Sequence, residues 1–405
     1  MTESAFRPTD RAITVAMAIF FFSFGFQSAI WVVRIPEVRE LVHVNTAILG
    51  ILFLVGALGA MSSLMAAPLV IARWSTRAGV WSGFVFYALG SIGAAWALVT
   101  GNPILLGISN FVSGIGAGLA DVSVNVESAE LEKRAGRALL PQLHGSFSFG
   151  TLAGALMGFV TISTHFPLPL QNVVIAVLFL LILVFCYRYI PRGTGQTRGE
   201  HAQAEPTPAG ERRRNWKNPR LVLLGLAIFG GSVAEGGAND WLALAMVDDY
   251  RIPGEIAAIT FAVLVGAMTV ARLAGGKLVD KFGRVATLRS FAIVGLIGVL
   301  LVILGAPVAW VAWVGAALWG FGVALVFPVI ISASADGPNS SSRVAVVTAF
   351  GYSAFLVAPP LLGLIAQTIG LLNMFWVFIG LLGLLFIASG ASRPLTDNLS
   401  KTVQR

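Results

Sequence analysis

Four residues of types that do chemistry stand between two long apolar runs: Asp121, Asn125, Glu127 and His144, within the stretch 118–150. Ionisable side chains are costly in lipid and there mark proton relays or solute pathways. The four-residue spacing puts Asp121 and Asn125 one turn apart on the same helical face. His144 lies about 8 Å into the next run, a depth from which it can meet Asp121. The chemistry this suggests is loading and release of a proton at Asp121, tuned by His144 and Asn125, because burial disfavours an ionised carboxylate. Glu127 projects about 120° away from Asp121. It is expected to pair structurally with Arg134 or Arg137.

Further polar residues share these faces. At 100° per residue, Asn110, Gly114, Gly118, Asp121 and Asn125 form one stripe on an otherwise apolar helix. A second cluster, Gly230-Gly231 to Glu235-Gly236-Gly237 and Asn239-Asp240-Trp241, is dense in glycine. Such a segment invites a local break that exposes backbone polar groups to a cavity. Glu235, past mid-membrane, is the rival proton carrier. Trp241 reads equally as a substrate platform or an interfacial belt residue. In the first run Gln27, Trp31 and Arg34 fall roughly on one side, with Gln27 at a depth matching Glu235; a structural hydrogen bond is the other reading of Gln27. The expected solute contacts are Gln27, Trp31, Arg34, Asn110, Asn125, Asn239, Asp240 and Trp241.

The elements that must position these residues follow from composition. The 405-residue chain is 57% hydrophobic and 11% charged, and its mean hydropathy is +0.84. Soluble domains carry about 25% charged residues, so this is a polytopic membrane protein. A span needs roughly 20 apolar residues. Twelve runs qualify: 12–34, 46–72, 79–99, 103–127, 139–162 and 168–190, then 220–246, 254–275, 285–305, 308–332, 343–368 and 371–391. The first is too long for a signal-peptide core and lacks a small-residue cleavage site, so it reads as a retained span.

The expected domains are a six-helix bundle over 1–190, a linker over 191–219 and a second six-helix bundle over 220–405. The Pro, Gly, Gln and Glu content of the linker cannot bury a core. Its ERRR cluster reads as a topology signal or an anionic-lipid contact. Offsets of about 200 residues between corresponding features suggest two parallel halves. With both termini cytoplasmic, 24 of the 27 lysines and arginines fall inside, and only Arg34, Arg39 and Arg251 fall outside. The positive net charge therefore reports topology and not a nucleic-acid partner.

Several classes are disfavoured. The Gly114–Gly118 GxGxG has no strand before it and lies inside a span, so it is no nucleotide loop. Cys186, the single cysteine, reads as apolar packing. His43, His165 and His201 read as solvated. No cofactor or metal cluster is expected, and energy must come from a gradient. An intramembrane aspartyl hydrolase would need Asp121 beside Asp240 or Glu235, yet their depths differ. A drug or metabolite exporter and a non-transporting sensor are the other readings.

The segment Gly276-Lys-Leu-Val-Asp280-Lys281-Phe-Gly283-Arg284 resembles the signature loop of the major facilitator superfamily, G-x3-D-[RK]-x-G-[RK], in the family's position between spans eight and nine. The resemblance implies an all-α fold of twelve transmembrane helices in two six-helix halves. It also implies secondary transport of a small molecule across the cytoplasmic membrane by a monomer. Gly276, Asp280, Gly283 and Arg284 would then gate, with Asp280 locking onto the capping run Asn339–Ser342. The first-half copy, Ala72 to Gly79, has Thr76 where the acid belongs. The Trp31–Pro36 segment, Asp121-x3-Asn125 with His144-Gly-Ser-Phe, and Ala234–Trp241 resemble YbjJ-type inner-membrane transporters, relatives of the fucose permease group. That resemblance implies proton-coupled uptake of a small polar, sugar-like solute.

Overall fold

The computed structural model describes residues 8–136, 139–196, 214–337 and 339–395. Among them the chain is helical and has no strand. In the first half α1 spans Pro8–Val32, α2 Ile35–Leu41, α3 Thr46–Thr100, α4 Pro103–Ala135, α5 Leu140–Ser163 and α6 Leu168–Tyr187. In the second, α7 spans Pro219–Asp248, α8 Gly254–Phe282, α9 Arg284–Leu304, α10 Ala309–Val323, α11 Val326–Ser334, α12 Ser340–Ile369, α13 Leu371–Met374 and α14 Trp376–Ala388.

Eleven helical stretches among the described residues are long and apolar enough to cross a membrane. One of them, α3, holds 55 residues. At about 1.5 Å per residue it would run about 80 Å, far beyond a hydrocarbon core of about 30 Å. It turns at Ser75, whose φ of 82° and ψ of 165° interrupt the helix. Its two limbs carry the expected spans 46–72 and 79–99, so eleven stretches make twelve crossings.

Local chemistry sets the helix ends. The Asn45 side chain accepts from the Ile48 amide at 2.9 Å. The Asn102 side chain accepts from Ile104 and Leu105. Such caps satisfy amides that the first turn leaves without partners. Gly101 and Gly136 close α3 and α4 in the left-handed region.

Small residues then let helices approach backbone to backbone. A Cβ on Gly150 of α5 would strike the carbonyl of Phe22 on α1, and one on Gly25 would strike that of Phe147. The α3–α4 seam uses the same device where Gly114 meets the Gly56 carbonyl.

The chain groups into two compact units. Unit 1 holds 1–204, 239–265 and 359–371; unit 2 holds 205–238, 266–358 and 372–405. Helices α7, α8 and α12 each contribute to both. The core of unit 1 centres on Phe20, Phe84 and Phe179, with Phe20 against Phe84 edge-on at 4.8 Å. That of unit 2 includes Trp319 packed on Phe375 and Phe378.

Of the expected linker, residues 197–213, with His201 and all of the ERRR cluster but Arg214, lie outside the described residues, as does Arg137. The start of the linker is not free. The Thr76 amide donates to the Thr194 carbonyl at 3.0 Å, holding 192–196 against α3. Cys186 is buried among the apolar residues of unit 1.

Candidate functional site

Unit 1 contains a cavity of about 430 Å³ between α1, α3, α4 and α5. Its wall is aromatic: Phe20, Phe21, Phe24, Trp31, Tyr87 and Phe147. The run Phe20-Phe21-Phe22-Ser23-Phe24 supplies half of these, because α1 presents one face to the cavity and another to the core. Asp121 and Ser28 are the small polar groups in that wall. No Lys, Arg or His is among the residues that line it. Gly118 brings α4 onto α3 just below Asp121, where a Cβ would strike Ser63 and the Ala60 carbonyl.

Asn125 orients the acid. Its Nδ2 donates to the Asp121 carbonyl at 2.9 Å and to the carboxylate Oδ1 at 3.0 Å. His144, on α5, acts electrostatically on the same carboxylate. Its ring lies 4.8 Å from that of Phe21. Asp121, Asn125 and His144 are thus brought together, and of the three Asp121 lines the cavity.

The expected solute contacts divide. Trp31 lines the cavity, half-buried. Gln27 is 5% exposed and hydrogen-bonds the Tyr87 hydroxyl, while its buried Oε1 has no partner. Asn110 is absent from the wall and donates to the Leu52 carbonyl at 3.4 Å.

Arg34 has a structural role in place of the expected solute contact. It is 3% exposed and donates to Glu37, to the Phe166 carbonyl at 2.9 Å and to Gln171 at 3.0 Å. Trp241 is 0% exposed, with its ring edge-on to Phe53 at 5.5 Å. It is neither a platform nor a belt residue here but a core side chain of unit 1. Asn239 and Asp240 are half-buried and make no side-chain hydrogen bond or ion pair among the described residues.

Glu235 is in unit 2 and is already engaged. Arg272 Nη2 donates to its Oε1 at 2.7 Å. Arg272 is the residue that sequence reasoning missed, having been counted among the cytoplasmic basic residues. It lies about 15 Å inside the C-terminal end of α8, a depth that was the available signal.

The signature loop also differs from expectation. Gly283 takes a φ of 79° at the junction of α8 and α9, and a Cβ on Gly276 would meet nothing. Asp280 is exposed and makes no ion pair or hydrogen bond among the described residues, so the lock onto Asn339–Ser342 is not formed in this structure. Asp336 does the pairing instead, accepting from Arg284 at 2.7 Å and Arg220 at 3.1 Å. The start of α12 is held by Asn215, which donates to Ser342 at 2.9 Å.

In the first half the missing acid arrives from another helix. Glu127 is 0% exposed and accepts from Thr76 Oγ1 at 2.7 Å. Arg134 stands 3.6 Å from its other oxygen, the pairing expected from spacing.

Within unit 1 the ends of α7 and α12 close on the first helices. Both terminal nitrogens of Arg39 donate to Asp248, one of them at 2.7 Å. Thr46 donates to Gln367 at 3.0 Å. Gly50 and Gly363 let Pro359 and Thr46 backbones pass in contact.

An uncharacterised MFS-type transporter of Yersinia pestis is 28% identical over 382 residues, covering 93% of this chain and 94% of its own. The partially occluded, inward-open xylose transporter XylE from E. coli superposes with a TM-score of 0.75 at 17% identity, over 97% of this chain and 99% of its own. The E. coli fucose:proton symporter FucP superposes with a TM-score of 0.65 at 15% identity, over 96% and 100%. At those identities the two structures share the fold. The profile of the Major Facilitator Superfamily matches residues 16–344. On that match, with twelve crossings built from apolar helices, the chain belongs to the major facilitator superfamily and is a transporter, not an enzyme.

Proposed function

We propose that this protein is a proton-coupled secondary transporter that moves a small solute by alternating access, with Asp121 as its proton-carrying group. One observation carries the reading. Asp121 stands in the wall of a solute-sized cavity, oriented by Asn125 and attracted by His144, with no Lys or Arg in that wall. A carboxylate so placed can take a proton from one side and give it up on the other as access alternates. Glu235 is the rival. Its partner Arg272 must be released before it can cycle.

A small polar solute carried together with the proton is the leading mode, supported by the sugar:proton symporter among the structural neighbours. Proton-driven export is the second reading, favoured by the aromatic wall. The halves 1–190 and 220–405, joined through 191–219, are the bodies proposed to rock. The proposed setting is a monomer in the cytoplasmic membrane with both termini inside, supported by the placement of basic residues.

The test uses protein reconstituted into vesicles that enclose a pH-sensitive dye. Sugars, nucleosides and amines are screened for raising the melting temperature, and each hit is added outside. Solute-dependent proton movement is the expected result. Accumulation of a hit with no accompanying proton movement would refute the coupling.

A further inference from the structure

We infer that the cavity of unit 1 is a seat for an organic ammonium: a small solute with a protonated amine on a partly apolar body. The inference rests on the reading of this cavity as the place where solute is held. It goes further by naming the solute's chemistry. One carboxylate cannot hold the proton and pair the ammonium at once, so such a solute would exchange against the proton, the second mode above.

Three observations converge. First, Asp121 lines the wall and no Lys, Arg or His does; His144, outside the wall, acts on the same carboxylate, so the wall is negative when that imidazole is neutral. A carboxylate or phosphate solute would meet repulsion there, and an ammonium would meet a charge-assisted acceptor. Second, six aromatic side chains line the same cavity as that acid. Such rings attract a cation electrostatically, most strongly where water is excluded. Third, Gln27 beside the cavity holds a buried Oε1 with no donor. Its neighbour Ser28 and its hydrogen-bond partner Tyr87 both line the cavity. A buried acceptor left unmade is unfavourable, and a solute with an N–H or O–H donor reaching past Ser28 and Tyr87 would satisfy it.

The alternatives fit less well. A polyol needs a partner for each hydroxyl it desolvates. The wall offers only Ser28, Trp31, Tyr87 and Asp121 as polar side chains, while Asn110 donates to the Leu52 carbonyl and Asn125 to Asp121 itself. A wholly apolar solute would add no partner for the Asp121 carboxylate beyond Asn125 and none for Gln27 Oε1. The volume, about 430 Å³, suits a small molecule.

The test is equilibrium binding to the purified full-length protein of three probes that share one body: phenethylamine, 2-phenylethanol and phenylacetate. Phenethylamine is expected to bind at least tenfold more tightly than the alcohol, and phenylacetate most weakly. Asp121→Asn should lose at least tenfold for the amine and leave the alcohol unchanged. Gln27→Met, a gentler change should Asp121→Asn fail to fold, should weaken the amine several-fold. Equal binding of amine and alcohol, amine binding untouched by both variants, or no amine binding to folded wild-type protein would overturn the inference. Proton-coupled accumulation of a sugar with no amine binding would overturn this inference alone. Amine binding without proton movement in vesicles would overturn only the transport reading.

Discussion

At the scale of single residues, the first half replaces a signature acid by borrowing one. Thr76 occupies the position of the acid, and Glu127 from α4 supplies the carboxylate at 2.7 Å from its hydroxyl. Two acids at that separation in a buried site would repel, with Arg134, 3.6 Å from Glu127, as the one counter-charge for both. Thr76→Asp should therefore destabilise by about 2–4 kcal/mol, seen as a melting midpoint lowered by several degrees. Adding Glu127→Gln to Thr76→Asp should recover most of the loss. No recovery in the double variant would show that Glu127 is not the reason Thr76 is tolerated. The pairing of Glu127 with Arg134 was legible from helical spacing, and so was the approach of His144 to Asp121. The Glu235–Arg272 pair was not, because positional counting of basic residues treats every arginine near a helix end as a topology signal. The burial of Trp241 and the internal network of Arg34 were also hidden. Each depends on residues far away in sequence, Phe53 for the first and Phe166 and Gln171 for the second.

At the scale of elements, apolar run length and lysine–arginine placement made the twelve crossings legible before any packing was known. Even the break in α3 was anticipated, since 46–72 and 79–99 are two lipid-length runs and Ser75 falls between them. The aromatic cavity wall was less legible. Phenylalanine repeats along α1 look alike whether they face lipid, core or cavity, and only the packing of α1 against α3, α4 and α5 separates them. That packing depends on glycines at backbone crossings. Gly150→Val should push α5 off the Phe22 carbonyl of α1 and cost roughly 1–3 kcal/mol or more, with poor yield of folded protein. Gly380→Ala, where an added Cβ meets nothing within 4 Å, should be neutral within about 0.5 kcal/mol. Equal thermal stability of the two variants would contradict the close crossing.

For the whole molecule, alternating access asks for closures that are specific but weak. The contacts closing α7 and α12 onto the first helices in unit 1 are of that kind: one partly exposed ion pair, one side-chain hydrogen bond and glycine-mediated backbone passages. Exposed ion pairs contribute about 1 kcal/mol or less. A solute or proton with a modest preference for one state can therefore shift the population. Asp280, exposed and without an ion pair or hydrogen bond among the described residues, adds nothing to these closures in this structure.

The most direct measurement of the central claim compares Asp121→Asn with Glu235→Gln in proteoliposomes, following gradient-driven accumulation and solute-for-solute exchange separately. Asparagine keeps the shape and much of the hydrogen bonding of aspartate but cannot carry the proton. The account predicts that Asp121→Asn abolishes accumulation, while exchange, which needs no net proton movement, persists once solute concentration is raised to offset any weakened binding. It predicts that Glu235→Gln, which frees Arg272, changes accumulation less. Proton-driven accumulation that survives Asp121→Asn would contradict the account.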